Sequence, residues 1–302
     1  MQKTDWHGVI PAITTPFTLD GQVDLAFLKK HVAWQIEAGC RGVVALGSLG
    51  EGATLRYDEK LAILEACVEV CGDLPVVAGI SALSTQEAVD LSLDAEQLGV
   101  QGLMVLPPYV YPGDRKEITA HFDAVIEATG LSCMLYNNPI AYGIDLKPDW
   151  IAEFAAKHEN LHAVKESSAD IRRLHEIRRL IGDRLALFVG VDDIIVEGIQ
   201  SGATGWIAGL VNAFPHESVA LFNLAMEGRY DEATKIYHWF LPLLRLDVVP
   251  KFVQLIKLAQ VEVGMGSPTV RLPRLELEGA DLAEVQKLIR DSVTNRPVLA
   301  GV

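Results

Sequence analysis

The chain has 302 residues, half of them hydrophobic and 22% charged, enough to bury a sizeable core as one large domain or two ordinary ones. Its 40 acidic against 26 basic residues leave a net charge of -14, which repels phosphate backbones and anionic lipid and so excludes nucleic acid and membrane surfaces as expected partners. The opening "MQKTDWHGVI" has no apolar run behind its lysine, so no signal peptide is expected, and no stretch reaches the ~20 apolar residues of a membrane span.

Short β-rich apolar runs recur along the chain at 8–14, 42–46, 75–80, 102–106, 132–137, 161–165, 186–190 and 205–209. They lack polar alternation, which fits parallel strands covered on both faces. Amphipathic segments lie between them, for example "DLAFLKKHVAWQIEAG" (24–39) and "TQEAVDLSLDAEQLG" (85–99), and Gly39, Gly99, Gly130 and Gly182 stand where left-handed helix caps are expected. Eight strand–helix repeats predict a (β/α)₈ TIM barrel. An open doubly wound sheet is less consistent, because "AITTPFTLDG" after the first run is no glycine-rich phosphate turn. Beyond the eighth strand the pattern is purely helical, at 217–228, 230–247, 250–264 and 281–293. The expected division is a barrel over 1–228 and a C-terminal helical extension over 229–302 packed on it. The apolar "WFLPLLRL" within that extension suits an interface or packing within the chain equally.

The cysteines, Cys40, Cys67, Cys71 and Cys133, complete no zinc pattern with histidine and read as small buried thiols of a reducing cytoplasm. In a barrel of this kind the chemistry gathers at the C-terminal strand ends. Those ends offer Thr14 and Thr15, "GSLGE" (47–51), "PPYVY" (107–111), Tyr136 with Asn137 and Asn138, Lys165, "GVDD" (190–193) and "AGLVN" (208–212). No histidine–carboxylate cluster or paired cysteine–histidine stands among them, so no metal and no cofactor is expected. His162 falls toward the other end of its strand. What remains is a lysine beside a tyrosine. A lysine in an apolar cavity loses its proton more readily, and its neutral amine can form a Schiff base with a carbonyl or imine carbon. Tyr136, linked to a hydroxyl such as that of Ser48, would move the protons. The backbone of the "GSLGE" turn would hold a carboxylate.

"GSLGE", "YNNP" and "VKES", in that order and spacing, resemble the dihydrodipicolinate synthase/N-acetylneuraminate lyase family, over nearly the whole chain from Gly8 to about Val293. The resemblance implies a barrel with C-terminal helices, a homo-oligomer built as a dimer of dimers, and lysine Schiff-base chemistry on small 2-oxo or imino acids. It also implies Lys165 as the Schiff-base lysine, Tyr136 as the proton-transfer tyrosine and Gly47, Ser48 and Leu49 as the carboxylate turn. Gly190, Asp192, Asp193, Asn138 and Thr15 are further candidate substrate contacts. Three positions depart from the synthases. Leu49 replaces a second hydroxyl, Val110 stands between Tyr109 and Tyr111 where a tyrosine crosses between subunits, and Ile140, Ala141 and Tyr142 stand where an arginine would be. Longer strings, "KESSAD", "NAFP" and "WFLPLL" among them, are similar to the 1-pyrroline-4-hydroxy-2-carboxylate deaminases. The expectation is therefore a deaminating Schiff-base lyase acting on that cyclic imino acid. The alternatives are a 2-keto-3-deoxy sugar acid aldolase or dehydratase, a pyruvate aldolase like dihydrodipicolinate synthase, and a non-catalytic barrel that binds a 2-oxo acid.

Overall fold

The computed structural model describes residues 1–109 and 111–299, so Val110 lies outside the described residues. All eight expected strands form: β1 Gly8–Pro11, β2 Val43–Ala45, β3 Val76–Ile80, β4 Gly102–Val105, β5 Ser132–Asn137, β6 Leu161–Glu166, β7 Ala186–Val189 and β8 Gly205–Ala208. They run parallel in the order β1-β8-β7-β6-β5-β4-β3-β2. A bridge between Ala12 and Val44 closes the ring, with the Ile13 N–H donating to the Val44 carbonyl at 2.9 Å. Every strand residue except His162 is buried, because inward side chains fill the barrel while outward ones meet the helices. The result is a (β/α)₈ barrel.

The helices are α1 Leu25–Glu37, α2 Tyr57–Cys71, α3 Thr85–Gln97, α4 Arg115–Glu127, α5 Pro139–Tyr142, α6 Pro148–Lys157, α7 Arg172–Ile181, α8 Ile195–Gln200, α9 Pro215–Met226, α10 Tyr230–Leu244, α11 Phe252–Glu262 and α12 Gly279–Thr294. Acceptor side chains start several of them. Asp24, Ser84 and Asp114 take the N–H groups of Phe27, Glu87 and Glu117, which would otherwise go unpaired. Gly39, Gly99 and Gly182 leave their helices at positive φ, as expected of caps. Gly130 does not: α4 stops at Glu127, and the Thr129 hydroxyl turns the chain instead by accepting the Leu131 N–H at 3.1 Å.

The "WFLPLLRL" segment is consumed within the chain. The Trp239 indole donates to the Ser292 carbonyl of α12 at 2.9 Å, Phe240 meets Phe214 edge-on at 5.8 Å, and Leu243 and Leu244 are buried. The four cysteines are free and buried. No helix among the described residues is long and apolar enough to cross a membrane.

The helices after the barrel are keyed to the turn that follows β2. Lys257 of α11 places its ammonium 2.7 Å from Glu51, and both side chains are almost fully buried. The second Glu51 oxygen accepts the Arg271 N–H at 3.0 Å. Removing one partner of a buried pair strands the other charge. Lys257→Met should therefore cost about 3 kcal/mol in chemical denaturation, and adding Glu51→Gln should recover part of that loss. A single-variant cost below the measurement error would remove the pair from the stability of the fold.

Candidate active site

Lys165 is the fifth residue of β6 and is 6% exposed. Strand register sets it beside Tyr136 of β5 and Phe188 of β7. Its Nζ lies over the Tyr136 ring, 4.1 Å from the centroid. Space for it comes from Gly190 just past β7, where a Cβ would stand 2.4 Å from Lys165 Cε and 2.1 Å from Ser167 Oγ. The Ser167 hydroxyl is buried there and makes no hydrogen bond among the described residues. Burial pulls the lysine pKa down to about 8, although Asp247 and Asp192 oppose the shift. About a tenth of the amine is then neutral and nucleophilic at pH 7, against less than about a thousandth for an ordinary lysine.

Tyr136 is buried, and desolvation pushes its phenol up to about 12, so it stays a proton donor. Its oxygen accepts from Asn138 Nδ2 at 2.9 Å, while Asn138 Oδ1 caps the short α5 by accepting the Ala141 N–H at 3.0 Å. Asn138 thus orients the phenol rather than facing the cavity alone. Ser48 does not bond Tyr136 as expected; its hydroxyl bonds Tyr142. Tyr142 in turn meets the Tyr136 ring edge-on at 5.8 Å and lies 6.0 Å from Tyr109. An aromatic wall with one hydroxyl pair therefore stands where the synthase arginine was sought. Ile140, by contrast, turns outward at 74% exposed.

The "GSLGE" turn is held from several directions. A Cβ on Gly50 would stand 2.9 Å from the Ile13 carbonyl oxygen and one on Gly52 2.1 Å from that of Leu46, so both approaches require glycine. Gly47 offers its carbonyl to the Gly52 N–H at 3.1 Å, and the Leu49 side chain is buried. The Ser48, Leu49 and Gly50 N–H groups donate to nothing among the described residues, which leaves them available to an anion. The Thr15 hydroxyl is already committed to the Gly50 carbonyl at 2.6 Å. It braces the turn and does not contact the cavity as a free group.

The two aspartates after β7 also differ from the expected substrate contacts. Asp192 is fully buried, and its oxygens accept from Trp206 Nε1 at 2.9 Å and from the Gly209 and Leu210 N–H groups at 3.1 and 2.8 Å. Asp193 pairs with Arg245 at 3.6 Å, and its carbonyl accepts from the Tyr237 hydroxyl. One acidic group at the site escaped sequence reasoning. Asp247 follows α10, far from any strand end in the sequence, yet a Cβ on Gly209 would stand 2.0 Å from its Oδ1. It acts electrostatically on Lys165, Asp192 and Tyr136, and burial raises its pKa well above the carboxylate range. The available signal was an acidic residue closing an apolar helix, which the sequence pattern reads as an ordinary helix end.

His162 bonds Ser132 at 2.7 Å, toward the opening end of the strands. Asp123, Glu127 and His158 bring ligand-type atoms within 4.8 Å of one another, but Lys157 already bridges the two carboxylates at 2.7 and 3.1 Å.

The pattern of the Dihydrodipicolinate synthetase family matches residues 5–292. The chain belongs to this family. It is 31% identical over 290 residues to the 4-hydroxy-tetrahydrodipicolinate synthase of Haloarcula marismortui, covering 96% of this chain and 94% of that one. Among solved structures it resembles the dihydrodipicolinate synthase of Acinetobacter baumannii complexed with pyruvate, with a TM-score of 0.88, 28% identity and coverage of 95% and 99% of the two chains. A prophage protein of the same family from E. coli K12, also in complex with pyruvate, matches with a TM-score of 0.90, 27% identity and coverage of 95% and 99%. These likenesses overturn the deaminase expectation. The curated relatives carry the synthase name, and two of the strings that suggested a deaminase serve packing. "WFLPLL" is one such string, and Asn212 of "NAFP" ties β1 to β8 by accepting the Thr14 N–H and donating to the Ala12 carbonyl. An enzyme of the lyase type is what the family supports.

Because Lys165 and Ser167 fill the space above Gly190, Gly190→Ala displaces the amine by a bond length or more. Capture of a 2-oxo acid on Lys165 should slow by about 10²-fold while the melting temperature changes little, as read by rapid-quench trapping. Unchanged capture would show that this glycine does not set the lysine.

Proposed function

We propose that this protein is a lysine Schiff-base lyase of the pyruvate aldolase type, working in the manner of its 4-hydroxy-tetrahydrodipicolinate synthase relatives. The observation that carries the reading is the neutral-capable Lys165 amine over the Tyr136 ring, opposite a turn whose N–H groups are unpaired. Pyruvate is the proposed 2-oxo acid because two similar barrels bind it.

Its carboxylate would lie on the Ser48–Leu49 turn, placing C2 toward the amine. Lys165 Nζ adds to the carbonyl, one proton passes from the nitrogen to the oxygen, Tyr136 donates a second, and the oxygen leaves as water, so that an iminium and a Tyr136 phenolate remain. The iminium acidifies the methyl protons. Loss of one to the Tyr136 phenolate gives an enamine, whose carbon attacks an aldehyde while the aldehyde oxygen takes that proton from Tyr136. Water then hydrolyses the iminium and returns the amine. A homo-oligomer belongs to the same reading, since Tyr111 is 54% exposed while Tyr109 is committed to Tyr142 of its own chain.

Borohydride with pyruvate should fix a reduced adduct on Lys165 by peptide mass mapping, and Lys165→Ala should give none; an adduct on another residue would sink the assignment. Tyr136→Phe should lower turnover by about 10²–10⁴-fold. The rate of adduct formation should climb as pH rises toward about 8 and then level off, because the lowered pKa supplies neutral amine early. An ordinary exposed lysine would keep gaining rate to pH values above 10.

A further inference from the structure

Two of the three non-glycine residues held at positive φ among the described residues, Leu46 at 64° and Glu51 at 56°, bracket the turn after β2. A side chain crowds the backbone in that conformation, which persists only where the surroundings hold it. Between them stand Ser48, Leu49 and Gly50, whose N–H groups meet no acceptor among the described residues. The turn belongs to the same site as Lys165. The Ser48 hydroxyl bonds Tyr142, Tyr142 meets the Tyr136 ring, and the lysine lies over that ring.

One side of the turn is held from within the barrel, where the Thr15 hydroxyl donates to the Gly50 carbonyl at 2.6 Å. The other side is held from outside it, through a single side chain. Glu51 is fully buried, and its two oxygens take different donors. Oε1 accepts from Lys257 Nζ at 2.7 Å and Oε2 from the Arg271 N–H at 3.0 Å, while Arg274 stands further off at 3.7 Å. The first two donors lie 206 and 220 residues along the chain, and each is fixed in turn. Lys257 also donates to the Thr269 carbonyl at 2.7 Å and lies 4.5 Å from the centre of the Phe17 ring. The Arg271 guanidinium grips both Glu59 oxygens at 2.6 Å and reaches the Thr54 carbonyl at 3.2 Å, just past the turn.

The residue that carries this anchor also shapes the turn. The Glu51 N–H donates to the Ser48 carbonyl at 3.1 Å, closing the chain over the three free N–H groups. Any shift of Glu51 therefore reorients the peptides of Ser48, Leu49 and Gly50. Lys165 is placed independently, by the register of β6 with β5 and β7 and by the space at Gly190. Grip on an anion and reactivity of the amine are thus separable.

On the pyruvate aldolase reading above, we propose that Glu51 is a positioning residue for the substrate carboxylate. Tied to Lys257 and Arg271 of the helical extension, it holds the Ser48, Leu49 and Gly50 N–H groups in the arrangement that receives the 2-oxo acid. The extension thereby sets affinity for the carboxylate and leaves the reactivity of Lys165 unchanged.

The test traps full-length enzyme with cyanoborohydride and either pyruvate or acetaldehyde, which offers a carbonyl without a carboxylate. Adducts on Lys165 are counted by peptide mass mapping. In Lys257→Met the pyruvate concentration for half-maximal capture should rise about tenfold, while the limiting rate and acetaldehyde capture stay within about twofold. Glu51→Gln keeps the side-chain shape but leaves one oxygen for two donors, and should raise that concentration about threefold. Adding Glu51→Gln to Lys257→Met removes the stranded charge and should recover part of the affinity. An unchanged pyruvate concentration in the folded variants would overturn the assignment. So would a parallel loss of pyruvate and acetaldehyde capture, which marks a merely structural pair. Should Lys257→Met fail to fold, the isosteric Glu51→Gln decides alone. Wild-type capture of pyruvate that both variants leave equal sinks Glu51 only, and no wild-type adduct on Lys165 sinks the Schiff-base reading with it.

Discussion

An amine enclosed at the top of a barrel is the constraint around which the rest of this molecule is arranged. Removing an ammonium from water without a partner costs several kcal/mol, so the group either sheds its proton or finds counter-charges. Lys165 does both in part. Burial drives the pKa down while Asp192 and Asp247 hold it from falling further. The face of Tyr136 receives the charged form at 4.1 Å.

The surrounding scaffold serves that balance through backbone as much as through side chains. Gly190 and Gly209 provide the volume that Lys165 and Asp247 occupy, and Gly50 and Gly52 permit the close approaches that shape the turn after β2. Glu51 at the base of that turn is fixed by Lys257 and by the Arg271 backbone, both beyond the barrel. The helices after β8 are therefore not a passive cover. They clamp the turn after β2 on one side and deliver the Asp247 carboxyl to the end of β8 on the other.

The tyrosines show how a site is built from redundancy of shape with division of labour. Tyr136, Tyr142 and Tyr109 stack in sequence, yet their hydroxyls have different partners. Asn138 fixes the first, and Ser48 bonds the second. Tyr136 thus presents a phenol oriented by an amide, while the Ser48–Tyr142 pair closes the wall beside it.

The fold and the place of Lys165 at a strand end were legible in the sequence because both rest on local pattern. Eight apolar runs without alternation fit strands buried on two faces, and a lysine ending one of them falls where a barrel gathers its chemistry. The rest needed three dimensions. Thr15, Asp192 and Asp193 are the right residue types at the right strand ends, but what each side chain bonds depends on neighbours 35 residues away for Thr15 and up to 52 for Arg245 and Asp193. Tyr142 stands where a charged residue was sought, and Asp247, at the end of the "WFLPLLRLD" string, lies 82 residues beyond the lysine. Periodicity records which face of an element is covered. It carries no information about which distant side chain fills a space that a glycine leaves open.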